Sequence, residues 1–123
     1  MPITNFSRET HELTITEKAL ANIVVDVLQG TSYEKQKCNA AILAEVHFKS
    51  KFNVNLTSSR LRAIIHYLRT EKRVPILATG RGYYISYDTE RIAVQVKSLD
   101  ERIRSIQQVR DALHQIQKEN ESH

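Results

Sequence analysis

Six arginine or lysine side chains stand between residues 57 and 82: Arg60, Arg62, Arg69, Lys72, Arg73 and Arg81, against the single acid Glu71. Three hydroxyls, Thr57, Ser58 and Ser59, precede them, and His66 lies in their midst. This set is poor in groups that break bonds. It is rich in groups that hold phosphate: permanent positive charge, short hydroxyl donors and, where a helix begins, unpaired backbone amides.

Bond-breaking constellations are not found elsewhere either. Cys38 is the one cysteine, and His11, His47, His66, His114 and His123 stand at no ligand spacing such as C-x2-C or H-x3-H with it or each other. Gly80 and Gly82 sit between two strand-like runs, not between a strand and a helix, so they form no phosphate-binding loop. Acidic residues are scattered along helical stretches, as on solvated faces. No metal or other cofactor is expected, and the chain is not expected to be an enzyme.

The basic set must be positioned by a helix. Leu61, Ile64, Ile65 and Leu68 fall at i, i+3, i+4 and i+7, one apolar stripe, with Thr57 or Ser58 able to cap the first turn. Ser59, Ala63, His66 and Thr70 then point away from the stripe, flanked by Arg60, Arg62, Tyr67 and Arg69. Pro75 ends the helix by keeping its predecessor out of helical angles. Two short runs follow, residues 74–78 and 83–86, rich in β-branched and aromatic residues. They are separated by Thr79-Gly80-Arg81-Gly82, whose glycines permit the positive φ of a tight hairpin.

The run LR-x-E-K-R-x-P-I-x-A-T-G-R-G-Y-Y-I, from Leu68 to Ile85, resembles the end of a winged helix-turn-helix of the biotin-operon-repressor type. Similar modules occur in small bacterial and phage regulators and replication proteins. The resemblance covers roughly residues 16 to 87. It implies that Leu68-Arg69 ends a recognition helix, that a strand follows at Ile76, and that Gly80-Arg81-Gly82-Tyr83 closes the wing. The chain departs from the family where a glycine usually precedes the first wing strand: Glu71-Lys72-Arg73 stands there. The turn before the recognition helix is also less regular.

The fold class expected is mostly α with a small β-hairpin wing (α+β), a winged helix-turn-helix over 13–87 followed by a long C-terminal helix over 88–118. An N-terminal arm, 1–12, and a frayed tail, 119–123, flank it. At 123 residues with 41% hydrophobic content the chain can bury a modest core. Its net charge is +4. Residues 1–33 and 83–123 carry a slight acidic excess, 34–56 a slight basic one, and the surplus concentrates in 57–82. A basic patch confined to one unit attracts a phosphate backbone. No apolar run reaches the ~18 residues of a membrane span. With no signal-peptide pattern and an unpaired cysteine, the expected location is the cytoplasm, in association with the nucleoid.

The earlier elements complete the module. Arg8, in the arm, is either a minor-groove contact or a solvated side chain. Leu13-Thr14-Ile15 alternates like a short first strand, and Thr16 is a plausible cap for helix 1 over 17–29, with Leu20, Ile23, Val24, Val27 and Leu28 inward and Gly30 as the stop. Residues 31–37 read as a polar connector. Asn39 can cap helix 2, 40–50, with Ile42, Leu43 and Val46 inward. Phe52, Val54 and Leu56 plug the underside of the core, while Asn53 and Asn55 suit the turn into helix 3.

The last third is different. Asp88 or Thr89 can cap a helix free of Pro and Gly, which runs to about Lys118. Ile92, Leu99, Ile106 and Leu113 repeat at seven, and Val96 and Ile103 form the alternating row, continued by polar Arg110 and Gln117 with Val109 and Ile116 beside it. This heptad seam reads as a homodimerisation helix; the competing reading is a tail folded across helix 1.

The function expected is sequence-specific binding of double-stranded DNA, by a small transcriptional regulator or a phage or plasmid replication-origin binder. Thr57 and Ser58 would bond phosphates. Ser59, Arg62, Ala63 and His66 would face base edges, with Arg62 the guanine reader, or His66 would be an ordinary surface histidine. Arg60, Arg69, Lys72 and Arg73 would hold backbone, and Arg81 would reach the minor groove or a flanking phosphate. A two-fold pair would read half-sites about 34 Å apart. The alternative is a protein-interaction adaptor that docks on a replication or transcription complex.

Overall fold

The structure is a computed structural model and describes residues 13–50 and 56–121. It is mostly helical, with a two-stranded antiparallel hairpin and a long C-terminal helix. The elements are α1 (Ile15–Leu28), α2 (Asn39–Lys49), α3 (Ser58–Thr70), β1 (Ile76–Thr79), β2 (Gly82–Ile85) and α4 (Thr89–Glu121). The chain divides into two compact units between Tyr87 and Asp88.

In the first unit the 3.6-residue periodicity becomes a core. Leu20, Ala21, Val24, Val27 and Leu28 of α1, Ile42 and Val46 of α2, and Leu61, Ile64, Ile65 and Leu68 of α3 are buried together with Ile76 of β1. Ile23, Leu43 and Leu56 pack against this cluster from its edge. Helix α1 packs on both α2 and α3, β2 lies on α1, and β1 lies on α3. Among the described residues no polar or charged residue is buried. The unit is therefore held by apolar burial, ~0.8 kcal/mol for each methylene removed from water.

The start of α1 differs from the sequence expectation. Residues Leu13-Thr14-Ile15 form no strand; Thr14 is the N-cap, and Ile15 is the first helical residue with its side chain 88% exposed. Thr14 Oγ1 accepts the Glu17 amide at 3.1 Å, and the Thr14 amide donates to Glu17 Oε1 at 3.1 Å. This reciprocal box satisfies two backbone donors at once and prevails over a three-residue alternation. The cap is Thr14, not Thr16. Gly30 follows the helix at φ +76°, the left-handed stop expected of it.

Helix α2 also begins one residue early. Its cap is Cys38, extended at φ −73°, ψ 165°, with no side-chain cap bond, and Asn39 is already helical. The reason lies in the preceding residue, since Lys37 bridges to Tyr83 of β2 and holds the chain extended up to Cys38. The expected plug at Phe52 and Val54, the turn at Asn53 and Asn55, and the arm 1–12 with Arg8 lie outside the described residues.

The hairpin pairs Ile76 with Ile85, Leu77 with Tyr84, Ala78 with Tyr83 and Thr79 with Gly82, leaving Gly80-Arg81 as a two-residue loop. The strands are thus shifted toward the turn relative to the 74–78 and 83–86 runs. Helix α4 is capped by Asp88, whose Oδ1 accepts the Glu90 amide at 3.0 Å. It extends to Glu121, so residues 119–121, expected to fray, are helical. Its 33 residues span about 50 Å. No residue of it is buried, and Val96, Leu99, Ile103, Ile106 and Leu113 all lie exposed. No helix among the described residues is long and apolar enough to cross a membrane.

Candidate nucleic-acid interface

Helix α3 sorts its side chains as its wheel requires. Leu61, Ile64, Ile65 and Leu68 are buried, while Ser58, Ser59, Arg60, Arg62, His66 and Thr70 are exposed on the other side and Ala63 and Tyr67 are half-buried. Thr57 is the N-cap; its Oγ1 accepts the Arg60 amide at 3.2 Å. One of the first-turn amides is thereby satisfied within the chain, and the Thr57 oxygen is engaged in the cap, not wholly given over to a ligand.

At the other end of α3 the chain turns sharply. The Glu71 and Lys72 amides both reach Tyr67 O, at 2.8 and 3.3 Å, and the Val74 amide reaches Leu68 O at 2.9 Å. Arg73 takes φ +56°, the left-handed region that glycine favours. The turn into the first hairpin strand is therefore made by an arginine with a backbone angle that glycine favours. Lys72 Nζ lies 5.9 Å from the Tyr67 ring centroid, in cation–π range. His66, Tyr67, Thr70 and Glu71 line a shallow cleft of about 280 Å³ on this end of the helix.

Two of the six basic residues make bonds that brace the fold. Arg69 is half-buried, and its Nε donates to Ile76 O at 2.7 Å, which ties the last turn of α3 to the start of β1. That bond positions the hairpin. Arg81, at the hairpin tip, donates from Nη2 to Tyr33 O at 2.9 Å and lays its guanidinium 4.8 Å from the Tyr33 ring centroid. It is exposed yet folded back on the connector, so it does not project from the tip as an open arm. Arg60, Arg62, Lys72 and Arg73 are exposed along α3 and the turn beyond it.

The connector before α2 is the part of the site that sequence reasoning missed. Tyr33 meets Tyr84 edge-on, with centroids 5.9 Å apart and planes at 83°. Thr31 Oγ1 donates to Leu28 O and accepts the Ile85 amide at 3.0 Å. Thr79 Oγ1 donates to Gln36 Oε1 and accepts the Arg81 amide at 3.1 Å, which shapes the tip. Lys37 exchanges two backbone bonds with Tyr83, at 2.9 and 3.0 Å, while its Nζ reaches Val27 O at 2.8 Å and Glu45 Oε2 at 2.9 Å. One signal for this was available: Tyr33 is an aromatic residue inside an otherwise polar stretch.

Gly82 is where the connector and hairpin touch. At φ +143° a Cβ on it would meet the Lys37 carbonyl and lie 2.8 Å from the Cys38 nitrogen. A neighbouring cleft of about 400 Å³ is lined by Cys38, Asn39 and Ala40 at the start of α2 and by hairpin residues 78–83. Among the described residues no group of three or more His, Cys, Asp or Glu side chains is placed to hold a metal ion.

Chemically, the exposed side of α3 offers hydroxyls, an imidazole and guanidinium groups on a rigid rod, beside a hairpin tied to the connector through Thr31, Tyr33, Gln36 and Lys37 and to α3 through Arg69. That arrangement can bind a polyanion and read hydrogen-bonding edges. Models of known families, curated proteins and solved structures, compared with this chain, give no match.

Proposed function

We propose that this chain is a sequence-specific double-stranded DNA-binding protein of the winged helix-turn-helix type, either a small transcriptional regulator or a phage or plasmid replication-origin binder. In this reading α3 enters the major groove, the hairpin is the wing beside the flanking backbone, and α4 pairs two copies of the chain. The expected place of action is the nucleoid of a bacterial or infected cell.

One observation carries the reading. The side of α3 opposite its buried stripe exposes Ser59, Arg62 and His66 over about two turns, and Glu71, beyond the last turn, is the nearest acid in sequence. A helix with this face matches what a major groove accepts, with a bidentate arginine for guanine and small residues that allow close approach. Arg60, Lys72 and Arg73 are exposed and are the cations this reading sets against phosphates, with Arg62 turned to a base edge.

That count gives a number to measure. Each phosphate neutralised contributes about −0.9 to the slope of log K against log salt, so three give a slope of roughly −2 to −3 per chain. Fluorescence anisotropy with a labelled random duplex is expected to show binding that weakens about 40-fold between ~50 and ~200 mM salt. No binding at the lower salt, or binding indifferent to salt, would overturn the proposal.

A second reading, the protein-interaction adaptor, is favoured by a different observation. Phe48 of α2 is 88% exposed and Tyr87 77% exposed, both large apolar surfaces outside the α3 face. Under that reading Arg62→Glu leaves partner capture intact, whereas DNA binding through α3 is lost by the same change.

A further inference from the structure

We propose that α4 pairs with a second copy of itself antiparallel, in a register centred between Arg104 and Ser105. This rests on the reading that the helix self-associates, and it adds direction and register to that reading. The exposed seam has Val96, Ile103, Arg110 and Gln117 on one row and Ile92, Leu99, Ile106 and Leu113 on the other. The apolar members of these rows from Val96 to Leu113 lie between 37% and 65% exposed. Both rows together make a continuous stripe at the seven-residue spacing that two helices share when they coil about each other.

A parallel, in-register pair places each residue against its own copy. Arg110 would then stack on the partner's Arg110 within the seam, and Gln117 on the partner's Gln117. The positions flanking a parallel seam give no relief: Gln95 faces the partner's Asp100, Arg102 the partner's Gln107, and Val109 the partner's His114, with no pair of opposite charge among them. Like charges brought together in a partly dried seam are repelled more strongly than in water.

The antiparallel pair removes the conflict. With the centre between Arg104 and Ser105, Ile103 lies level with the partner's Ile106, Val96 with the partner's Leu113, Leu99 with the partner's Arg110, and Ile92 with the partner's Gln117. All eight seam positions find a partner; a shift of one heptad either way leaves two of them without one. Arg110 then spreads its methylenes over Leu99. Its guanidinium comes level with the partner's Asp100, which flanks the seam on the same side. In the single chain that guanidinium is held by its sequence neighbour Asp111 at 2.9 Å, with both side chains about 70% exposed. An exposed pair of this kind is weak and readily exchanged for a better-shielded partner. The apolar extras Val109 and Ile116 fall on the opposite flank, where they cover the stems of the partner's Arg102 and Gln95.

The consequence is that the two copies of α4 begin about 45 Å apart, at opposite ends of the pair, whereas a parallel pair would begin side by side. The test uses the full chain in a Cys38→Ser background, because Cys38 is exposed and would take label. Spin labels are placed at S105C in one sample and E119C in another, both on the outer side of the helix, and distances are read by pulsed dipolar spectroscopy beside light-scattering mass. The expected result is the mass of two chains, a short distance below ~20 Å at position 105, and a long one near 44 Å at position 119 from the ~1.5 Å rise per residue. A two-chain mass with short distances at both positions would overturn the antiparallel direction while leaving self-association standing. A single-chain mass at ~100 μM would overturn both, and the DNA-binding reading of the first unit would be judged separately by its salt titration.

Discussion

Replacing Gly82 by alanine should unseat the hairpin from the connector that precedes α2. At φ +143° any L side chain is strained, at a cost of about 1–3 kcal/mol. The new Cβ would also collide with backbone: the Lys37 carbonyl, and the Cys38 nitrogen at 2.8 Å, where ordinary contacts begin at 3.4 Å. Backbone cannot rotate aside as a flexible side chain can, so Lys37 and Tyr83 must separate. Their two mutual bonds, at 2.9 and 3.0 Å, are then lost, at about 0.5–1.5 kcal/mol each. Together the effect is about 2–6 kcal/mol, a large share of the ~5–15 kcal/mol that holds a domain folded. The assay is thermal unfolding followed by tyrosine fluorescence, which reports the first unit through Tyr33, Tyr83 and Tyr84, alongside amide exchange at Tyr83. Two controls calibrate it. Gly30→Ala, at φ +76° with nothing within 4 Å, should lose only about 1 kcal/mol, and Gly80→Ala, open and without positive φ, should be neutral or slightly stabilising. If Gly82→Ala melts with Gly80→Ala, the bridge between Lys37 and Tyr83 contributes nothing and the account of how the hairpin is seated is wrong.

Arg73 at φ +56° gives the converse case: Arg73→Gly should be about 0.5–1 kcal/mol more stable than Arg73→Ala by chemical denaturation, the Cβ strain outweighing glycine's entropy, and equality would refute the left-handed turn. Arg69→Ala should destabilise by about 1–3 kcal/mol, because the Ile76 carbonyl loses its donor, while the slope of DNA binding against salt stays unchanged. A reduced slope with unchanged stability would return Arg69 to the phosphate-binding set. Arg62→Ala should leave the melting temperature alone, since the side chain is exposed, yet weaken a selected specific duplex by about 1–3 kcal/mol and relax preference at one base pair.

The contrast between what was legible and what was not follows the distance over which each feature is encoded. The stripes of α1 and α3 and the seam of α4 are written in residues three, four or seven apart, and the buried set on α1 and α3 lies where that periodicity puts it. The hairpin was marked by Gly80 and Gly82 flanked by strand-forming residues, although its pairing crept toward the turn. Helix starts were misread by one or two residues. At α1 a capping box competed with a strand-like alternation, and at α2 a distant bridge, Lys37 to Tyr83, decided where the chain stopped being extended.

The stapling of the connector was not legible because its bonds join residues 43, 48 and 54 apart in sequence, Thr79 to Gln36, Arg81 to Tyr33 and Ile85 to Thr31. No local pattern specifies them. The same limit explains the candidate site. Counting charge along 57–82 identifies a basic surface, but it does not reveal that the Ile76 carbonyl has claimed Arg69 or that Tyr33 has claimed Arg81. Those bonds engage two of the five cations expected on the DNA backbone and make the hairpin tip a braced corner. Arg73 shows the reverse: an arginine that looked like a departure from a glycine turn adopts the glycine's backbone angle.

The most direct measurement of the central claim is a nuclear magnetic resonance titration of the isotopically labelled chain with a short random-sequence DNA duplex at low salt. The account predicts that amide resonances from Thr57 to Thr70 shift most, with those of the turn through Arg73 and of the hairpin loop following, while α1 and the interior of α4 stay in place. Shifts confined to α2 around Phe48 or to Tyr87, or no shifts at all, would contradict DNA recognition through α3 and leave the exposed aromatic surface as the functional one.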